Sequence, residues 1–230
     1  MELNTSQLGF VKFMEDKNGD IDFSNNKFDN EVISYIRENV DYKKSELLSV
    51  MDLIGAQRFT ANSFIKSLKQ LPVFNDMRNV LDIGSGPLGL ELFTIKNAFK
   101  NLKLETIDPN LILTQKGVGE RTTILDGSFQ LDTNISNYDA VIGNLTCEAT
   151  EDIIETCTKL SKPYFITLCD CLHPLRDGTK FNSYNLQNKY FEDKYSLSKL
   201  VVPQHLKSPR GIDKSTFCLT NMSVSDYFYR

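Results

Sequence analysis

The spacing of apolar residues changes near residue 76. Before that point, apolar side chains recur every three or four positions, which is typical of amphipathic helices. After it, short apolar runs of strand type alternate with longer helical patterns. The pattern therefore predicts an N-terminal helical region over residues 1–75 and an α/β domain over residues 76–230.

Apolar stripes predict three N-terminal helices, near residues 32–40, 47–54 and 64–71. Gly55 and Thr60 are expected to separate the second helix from the third, as a C-terminal glycine and an N-cap. Ahead of these helices, two apolar runs flank Asn18-Gly19, a pair that favours a hairpin turn because both residues tolerate positive φ. We therefore expect a small β-hairpin followed by a helical cap.

From residue 79 onward, the apolar runs predict strands at residues 80–83, 104–107, 122–125, 140–143, 164–168, 196–202 and 216–224. Helical patterns fall between most of them, at residues 88–100, 111–116, 149–160 and 184–191. Strands joined by helices favour a parallel, doubly wound sheet. The last two strands have no helix between them, and we expect them to pair antiparallel. The prediction is a mostly parallel, seven-stranded sheet with an antiparallel edge strand.

The composition is that of a globular protein, with 230 residues of which 40% are hydrophobic and 24% are charged. Because no apolar run reaches the length of a membrane span and the N-terminus lacks a secretory pattern, we expect a cytoplasmic protein with no membrane partner. The net charge of −4 gives no general attraction to nucleic acid. The five cysteines lack metal-ligand spacing, and we expect buried free thiols and no metal site.

A glycine-rich turn follows the first predicted strand, in the pattern Gly84-Ser85-Gly86-x-x-Gly89, and leads into a helix. Glycines at such a turn let the chain bend tightly and let a ligand lie against bare backbone, while the start of the helix offers unpaired N–H donors. The pattern also matches the fingerprint of dinucleotide-binding proteins. It therefore predicts a nucleotide or nucleoside site.

Carboxylates occur at the carboxyl ends of three consecutive strands. Asp82 lies in the first strand, Asp108 ends the second, and Asp126-Gly127 follows the third. Open α/β sheets bind ligands at this edge, and a carboxylate in the place of Asp108 can accept hydrogen bonds from both hydroxyls of an unphosphorylated ribose. The three carboxylates favour a nucleoside ligand.

Taken together, residues 76–224 resemble the class I S-adenosylmethionine-dependent methyltransferases. The resemblance rests on the glycine turn, on Asp108, on Asp126 and on the late pair of strands, which distinguishes this family from dehydrogenases. It implies S-adenosyl-L-methionine as cofactor, with Gly84 and Gly86 beside its methionine part, Asp108 on the ribose and Asp126 on the adenine amino group. Asp82 would help to position the amino end. The complete set of candidate cofactor residues is Asp82, Gly84, Ser85, Gly86, Gly89, Asp108, Asp126, Gly127 and Asn144.

The segments after the fourth and fifth strands set the acceptor in this family. The stretch from Asn144 to Glu148 lacks the Pro-Pro-aromatic motif of enzymes that methylate base amino groups, and the fifth strand does not end in the lysine of ribose 2′-O enzymes. Glu148, Asp170 and His173 are the candidate catalytic residues, since a carboxylate or a near-neutral imidazole can remove a proton from the acceptor.

The leading hypothesis is therefore methyl transfer to an oxygen or nitrogen of a small-molecule acceptor. An RNA or protein acceptor is the first alternative, because residues 176–214 are rich in basic side chains. A cofactor-binding partner subunit without catalytic activity is a second alternative. An NAD-dependent oxidoreductase is a third, because the glycine pattern permits it.

Overall fold

The computed structural model describes residues 2–23, 26–169, 174–195, 198–207 and 213–221. The chain divides into two compact units, each made of two segments. Unit 1 combines Met1–Asn62 with Ser85–Gly127, and unit 2 combines Ser63–Gly84 with Ser128–Arg230. This division differs from the predicted boundary at residue 76, which stays a prediction. No helix in the described part of the chain is long and apolar enough to cross a membrane.

The seven strands have the order β3-β2-β1-β4-β5-β7-β6. They are β1 Asn79–Ile83, β2 Lys103–Ile107, β3 Thr122–Leu125, β4 Ala140–Asn144, β5 Tyr164–Thr167, β6 Ser198–Lys207 and β7 Asp213–Thr220. In unit 1, β2 and β3 pair in parallel; in unit 2, β1 with β4 and β4 with β5 are parallel pairs. β7 runs antiparallel to both β5 and β6. The predicted seven-stranded, mostly parallel α/β fold is confirmed, and the last two strands pair antiparallel as expected. The antiparallel strand is not at the edge as predicted, because β7 lies between β5 and β6.

The helices are α1 Thr5–Lys17, α2 Asn26–Asn39, α3 Lys44–Lys69, α4 Leu90–Ala98, α5 Gln115–Val118, α6 Thr150–Lys159 and α7 Tyr184–Tyr195. Two short 3-10 helices lie at Pro72–Asp76 and Cys147–Ala149. All five residues of β4 are buried, which explains why this strand appears in the sequence as a continuous apolar run and not as an alternating one.

The predicted N-terminal hairpin is wrong, because the chain forms helix α1 there. Asn4 caps this helix, accepting a hydrogen bond from Gln7 N at 2.9 Å, while the Gln7 side chain accepts from Asn4 N at 3.0 Å. At the other end Asn18 has left-handed φ and ψ of 48° and 40°, and Gly19 has a φ of 69°. The positive φ that Asn-Gly tolerates therefore ends a helix here and does not turn a hairpin.

Helix α3 is continuous where two helices were expected. Gly55 and Thr60 lie inside it, so the predicted break between them is wrong. The Thr60 hydroxyl donates to the carbonyl of Gln57 at 3.1 Å, in the manner of a threonine inside a helix, whereas an N-cap would accept from a backbone N–H. Arg58, on the same helix, forms a bidentate pair with Asp29 of α2 and donates to Phe23 O at 3.1 Å. These bonds tie the part of α3 that belongs to unit 1 to α2 and to Phe23.

The last two strands are longer toward their shared loop than the sequence indicates. β6 continues through Pro203 to Lys207, and β7 already begins at Asp213. The register of this pair shifts between Val201 and His205, so Pro203 lies in an irregular stretch of the last strand in the sheet order. Edge strands and bulges are where a sheet tolerates proline, since no ladder N–H is lost there.

Candidate functional site

In unit 1, the glycine loop, defined here as residues 85–89, contacts the carboxylate that follows β2. Gly86 has a φ of 78°, a conformation that favours glycine, and its backbone N–H donates to Asp108 Oδ2 at 2.7 Å. The other carboxylate oxygen of Asp108 accepts from Asn110 N at 2.8 Å. The structure thus brings together the two elements on which the predicted nucleoside site depends.

The residues of this loop differ in how far solvent reaches them. Gly86 and Asp108 are partly exposed, whereas Ser85 and Gly89 are buried. The hydroxyl oxygens of Ser85 and Thr106 lie 2.9 Å apart, which ties the loop to β2. A Cβ on Gly89 would lie 2.9 Å from Leu111 Cδ1, so this glycine makes room for the segment after β2. Ser85 and Gly89 thus support the loop by packing, and their predicted contact with a cofactor stays a prediction.

Asp126 leaves the sheet beside Asp108. Ile107 and Leu125 are register partners in the parallel pair of β2 and β3, so Asp108 and Asp126 each follow one member of the pair. Asp126 and Gly127 are exposed, and a Cβ on Gly127 would meet no atom within 4 Å. This position suits a carboxylate that meets a ligand from solvent, as the resemblance implies, and its role stays a prediction.

Gln57 of α3 lies beside the glycine loop, and no pattern in the sequence indicates this. Its Oε1 lies 3.4 Å from the N–H of Leu90, the first residue of α4. Its Nε2 would lie 2.5 Å from a Cβ on Gly86. The Gln57 amide therefore covers the bare backbone face of Gly86. Its contacts are long-range, 33 residues apart for the bond to Leu90, so no local motif could have indicated them.

In unit 2, three predicted cofactor residues lie at the ends of β1 and β4. Asp82 is fully buried in β1 opposite Ile142 of β4. Gly84 has a φ of 81°, and a Cβ there would lie 3.8 Å from Thr146 Cα. Asn144 is buried, and its Oδ1 accepts from the Thr167 hydroxyl at 2.6 Å. Asp82 and Asn144 are thus integrated into the sheet, and their contact with a cofactor stays a prediction.

The post-β4 segment, defined here as the last two residues of β4 and the three that follow (143–147), has an unusual backbone. Leu145 and Cys147 have φ values of 61° and 46°, which are rare for residues other than glycine. Leu145 N donates to both the carbonyl and the hydroxyl oxygen of Thr167, at 3.1 and 3.0 Å. A Cβ on Gly143 would lie 2.2 Å from Thr146 Cγ2, because this segment folds back on its own strand. Such backbone geometry is a feature of functional sites.

Of the candidate catalytic residues, the structure describes one. Glu148 lies in the 3-10 helix Cys147–Ala149 and is exposed. Asp170 and His173 lie outside the described residues, so their roles stay predictions. Burial raises the pKa of the Cys157 thiol to about 12, so it stays protonated at neutral pH. Cys157 and Cys169 are buried as expected, whereas Cys147 is only half-buried.

An ion-pair cluster neutralises two basic residues of segment 176–214. Arg176 Nη2 donates to Glu155 Oε2 at 2.6 Å, and its Nε lies 3.1 Å from Asp152 Oδ1. Lys194 Nζ donates to Glu151 Oε1 at 3.1 Å. The pKa of Glu155 is lowered on balance. Burial acts to raise this pKa, but the hydrogen bonds from Arg176 and Tyr195 and the nearby positive charges outweigh burial. Arg176 and Lys194 are therefore held by carboxylates.

No known family of protein domains matches the sequence, and no curated protein matches it either. Solved structures do match. The S-adenosylmethionine-dependent methyltransferase SibL has a TM-score of 0.49 at 14% identity, over 93% of this chain and 73% of its own. The mitomycin 7-O-methyltransferase MmcR has a TM-score of 0.47 at 14% identity, over 77% of this chain and 57% of its own. The methyltransferase domain of bacterial CtHen1 has a TM-score of 0.46 at 13% identity, over 73% of this chain and 99% of its own. The chain thus spans little more than half of MmcR. With TM-scores below 0.5, these likenesses do not define an activity, which has to be inferred from the residues of the site.

Proposed function

We propose that the chain is a class I S-adenosylmethionine-dependent methyltransferase that acts on an oxygen or nitrogen of a small-molecule acceptor. One observation carries this proposal: the 2.7 Å hydrogen bond from Gly86 N to Asp108 Oδ2. It supports the proposal because a carboxylate that can accept hydrogen bonds from ribose hydroxyls then lies beside a turn whose glycine has no side chain of its own. These are the two elements that an adenosine ligand with an attached amino-acid chain requires.

The residues present fit this cofactor. An ionised carboxylate has about four acceptor positions, and the N–H groups of Gly86 and Asn110 use one on each oxygen of Asp108. Acceptor capacity for two ribose hydroxyls therefore remains. The negative charge of Asp108 would repel a 2′-phosphate, so an unphosphorylated ribose is favoured. At Gly86, the atoms nearest to the place of a Cβ belong to the end of the flexible Gln57 side chain, which a ligand can displace.

When bound, S-adenosylmethionine supplies a methyl group that its positively charged sulfur has already activated. The protein then has to align the acceptor, exclude water and, for a hydroxyl or ammonium group, take up a proton. Glu148 is a candidate for accepting this proton, because it lies in the 3-10 helix that begins at the end of the post-β4 segment. Asp170 and His173 remain candidates for the same role.

Specific observations weigh against the alternatives. The antiparallel β7 between β5 and β6 is what the methyltransferase resemblance implies and a dehydrogenase does not require. Arg176 and Lys194 are engaged with carboxylates and add little to a surface for an RNA backbone. The alternative of a partner subunit without catalytic activity is tested by experiment. Such a subunit would bind the cofactor but would transfer no methyl group from labelled S-adenosylmethionine to any fraction of a cell extract.

Titration calorimetry with S-adenosylmethionine, S-adenosylhomocysteine and NAD tests the proposal. We expect both sulfur nucleosides to bind and NAD not to bind. Asp108→Asn should weaken S-adenosylhomocysteine binding about 10- to 100-fold, because hydrogen bonds to a charged group are lost. The amide of that variant can still accept from Gly86 N, so the loop is retained. Asp108→Ala should weaken binding at least as much.

Asp52→Asn is the matched control, since Asp52 is an exposed carboxylate on α3 in the same unit. It should leave the affinity unchanged. Binding of NAD without either sulfur nucleoside contradicts the proposal, and so does an unaltered affinity in both Asp108 variants.

A further inference from the structure

A cavity of about 300 Å³ lies in unit 2 and is not used by the cofactor residues described above. Three elements form its walls: residues 147–151 at the start of α6, residues 174–176, and α7. The lining residues that matter here are Cys147, Glu148, Glu151, Leu175, Gln187 and Phe191. Its volume is at the lower end of the range for small-molecule sites.

One wall of the cavity lies close to Gly84, which belongs to the same unit. Cys147 lines it, and the preceding residue, Thr146, has its Cα 3.8 Å from a Cβ on Gly84. The backbone at Leu145 and Cys147 has positive φ, so this wall is held in an uncommon conformation by the bonds to Thr167. A rigid wall next to Gly84 is a suitable place for an acceptor.

Gln187 provides a polar group for which the described part of the chain offers no partner. This residue of α7 is 6% exposed and lines the cavity, and its Oε1 has no hydrogen-bond partner among the described residues. A buried acceptor without a donor is costly and uncommon in native proteins. Because the terminal torsion of a glutamine side chain is soft, a donor on a bound molecule can draw this oxygen toward it.

The charges around the cavity favour a cation. Among the described lining residues, Glu148 and Glu151 are acidic and Arg176 is basic, and Lys194 contacts Glu151 from outside the lining. Arg176 is itself shared among Glu151, Asp152 and Glu155. The acidic side chains therefore outnumber the basic ones, and an anionic ligand would be repelled. The buried Leu175 and Phe191 give the same cavity an apolar wall suited to a ring.

We propose that this cavity binds the acceptor and that the acceptor is a small, ring-bearing amine. The inference rests on the proposed methyltransferase function and specifies its substrate class. Gln187 accepts a hydrogen bond from the amine, and Leu175 and Phe191 contact the ring. Glu148 attracts the ammonium group and takes the proton that the nitrogen must lose before its lone pair is available.

Three probes of similar size test the proposal: 2-phenylethylamine, 2-phenylethanol and 3-phenylpropanoate, each titrated by ligand-observed NMR in the presence of S-adenosylhomocysteine. The amine should bind about 10-fold more tightly than the carboxylate and about 3-fold more tightly than the alcohol, which are modest electrostatic preferences. Gln187→Leu should weaken amine binding about 10-fold, the expected effect of losing a buried hydrogen bond. Glu148→Gln should weaken the amine and leave the alcohol nearly unchanged.

Leu186→Ala is the control on the same helix, because Leu186 is 52% exposed and is not a lining residue. It should bind the amine as the wild type does. Gln187→Met serves beside Gln187→Leu if thermal melting shows that the latter does not fold. The proposal is overturned if no probe binds, if the carboxylate binds as well as the amine, or if the Gln187 and Glu148 variants bind the amine unchanged.

Calorimetry with S-adenosylhomocysteine on the same variants separates the two proposals. Its affinity should not change in the Gln187 and Glu148 variants. If the nucleoside binds but the amine preference is absent, the acceptor proposal fails and the proposed function stands. If the nucleoside does not bind the wild-type protein, the proposed function fails, whereas the probe series still reports on the cavity.

Discussion

Gly86 in the glycine loop and Gly143 in the post-β4 segment are both needed as glycines, for different physical reasons. Gly86 has a φ of 78°, and the group nearest to its missing Cβ is the amide end of Gln57. At Gly143 a Cβ would lie 2.2 Å from Thr146 Cγ2 and 3.1 Å from Ile83 O. The first glycine serves backbone conformation and ligand access, and the second serves packing. Only the first kind leaves a motif in the sequence.

The largest effect on stability is expected at Gly143. Gly143→Ala places a methyl group where β4 and Thr146 leave no space, and overpacking of this kind should lower the free energy of unfolding by about 3 kcal/mol. Urea unfolding followed by circular dichroism measures the change. The comparison fails if Gly143→Ala is as stable as the wild type.

A second substitution sharpens this test. Thr146→Ser removes the Cγ2 methyl that the alanine would meet and keeps the hydroxyl, which lies 2.7 Å from Thr150 Oγ1. Alone it should cost about 1 kcal/mol, the value of a buried methyl group. Combined with Gly143→Ala it should restore most of the lost stability, so the two changes are not additive.

At Gly86 the expected effect is on binding. Gly86→Ala should weaken S-adenosylhomocysteine binding about 30-fold, equivalent to about 2 kcal/mol, because a strained φ and a new methyl group disturb the ligand's face of the loop. Gly178→Ala is the control: its φ of 84° gives similar strain, with open space around the new Cβ, and the affinity should not change. Adding Gln57→Ala to Gly86→Ala removes the contact with Gln57 but should not restore binding. Calorimetry checks all three variants.

The strands were predictable to within one or two residues from β1 to β5. β1, β4 and β5 are buried and mostly apolar, whereas β2 and β3 were found from short runs between helical patterns. The contact between Asp108 and the glycine loop was also predictable. The loop follows β1 and Asp108 follows β2, and parallel strands bring their carboxyl ends to the same edge of a sheet. Asn18-Gly19 was misinterpreted because a positive φ suits a hairpin turn and a helix end equally. Gln57 and Gln187 could not be predicted, because only the fold places the first beside the glycine loop of unit 1 and the second at the cavity of unit 2.

A smaller effect is expected where β5 supports the post-β4 segment. Thr167→Val removes the hydroxyl that donates to Asn144 Oδ1 and accepts from Leu145 N. The Leu145 N–H still has the carbonyl of Thr167, so the unfolding free energy should fall by only about 1–2 kcal/mol. Thr167→Ser retains the hydroxyl and should lose less. A larger loss in Thr167→Ser than in Thr167→Val would mean that the methyl group, and not the hydroxyl, stabilises this segment.

The smallest effect concerns Gln57, whose amide caps the first N–H of α4 weakly and covers Gly86. A ligand that lies against Gly86 has to displace this amide. Gln57→Ala removes the obstacle and should tighten S-adenosylhomocysteine binding about 3-fold, since a weak hydrogen bond no longer has to break. Gln57→Glu should act in the opposite direction, because a carboxylate at the start of a helix is held more firmly by the helix dipole and repels the ligand's own carboxylate. Calorimetry at low ionic strength compares the two. If both variants weaken binding to the same extent, the Gln57 amide is a ligand contact. The candidate cofactor site in unit 1 then depends on a residue that no motif indicates, as the cavity in unit 2 does.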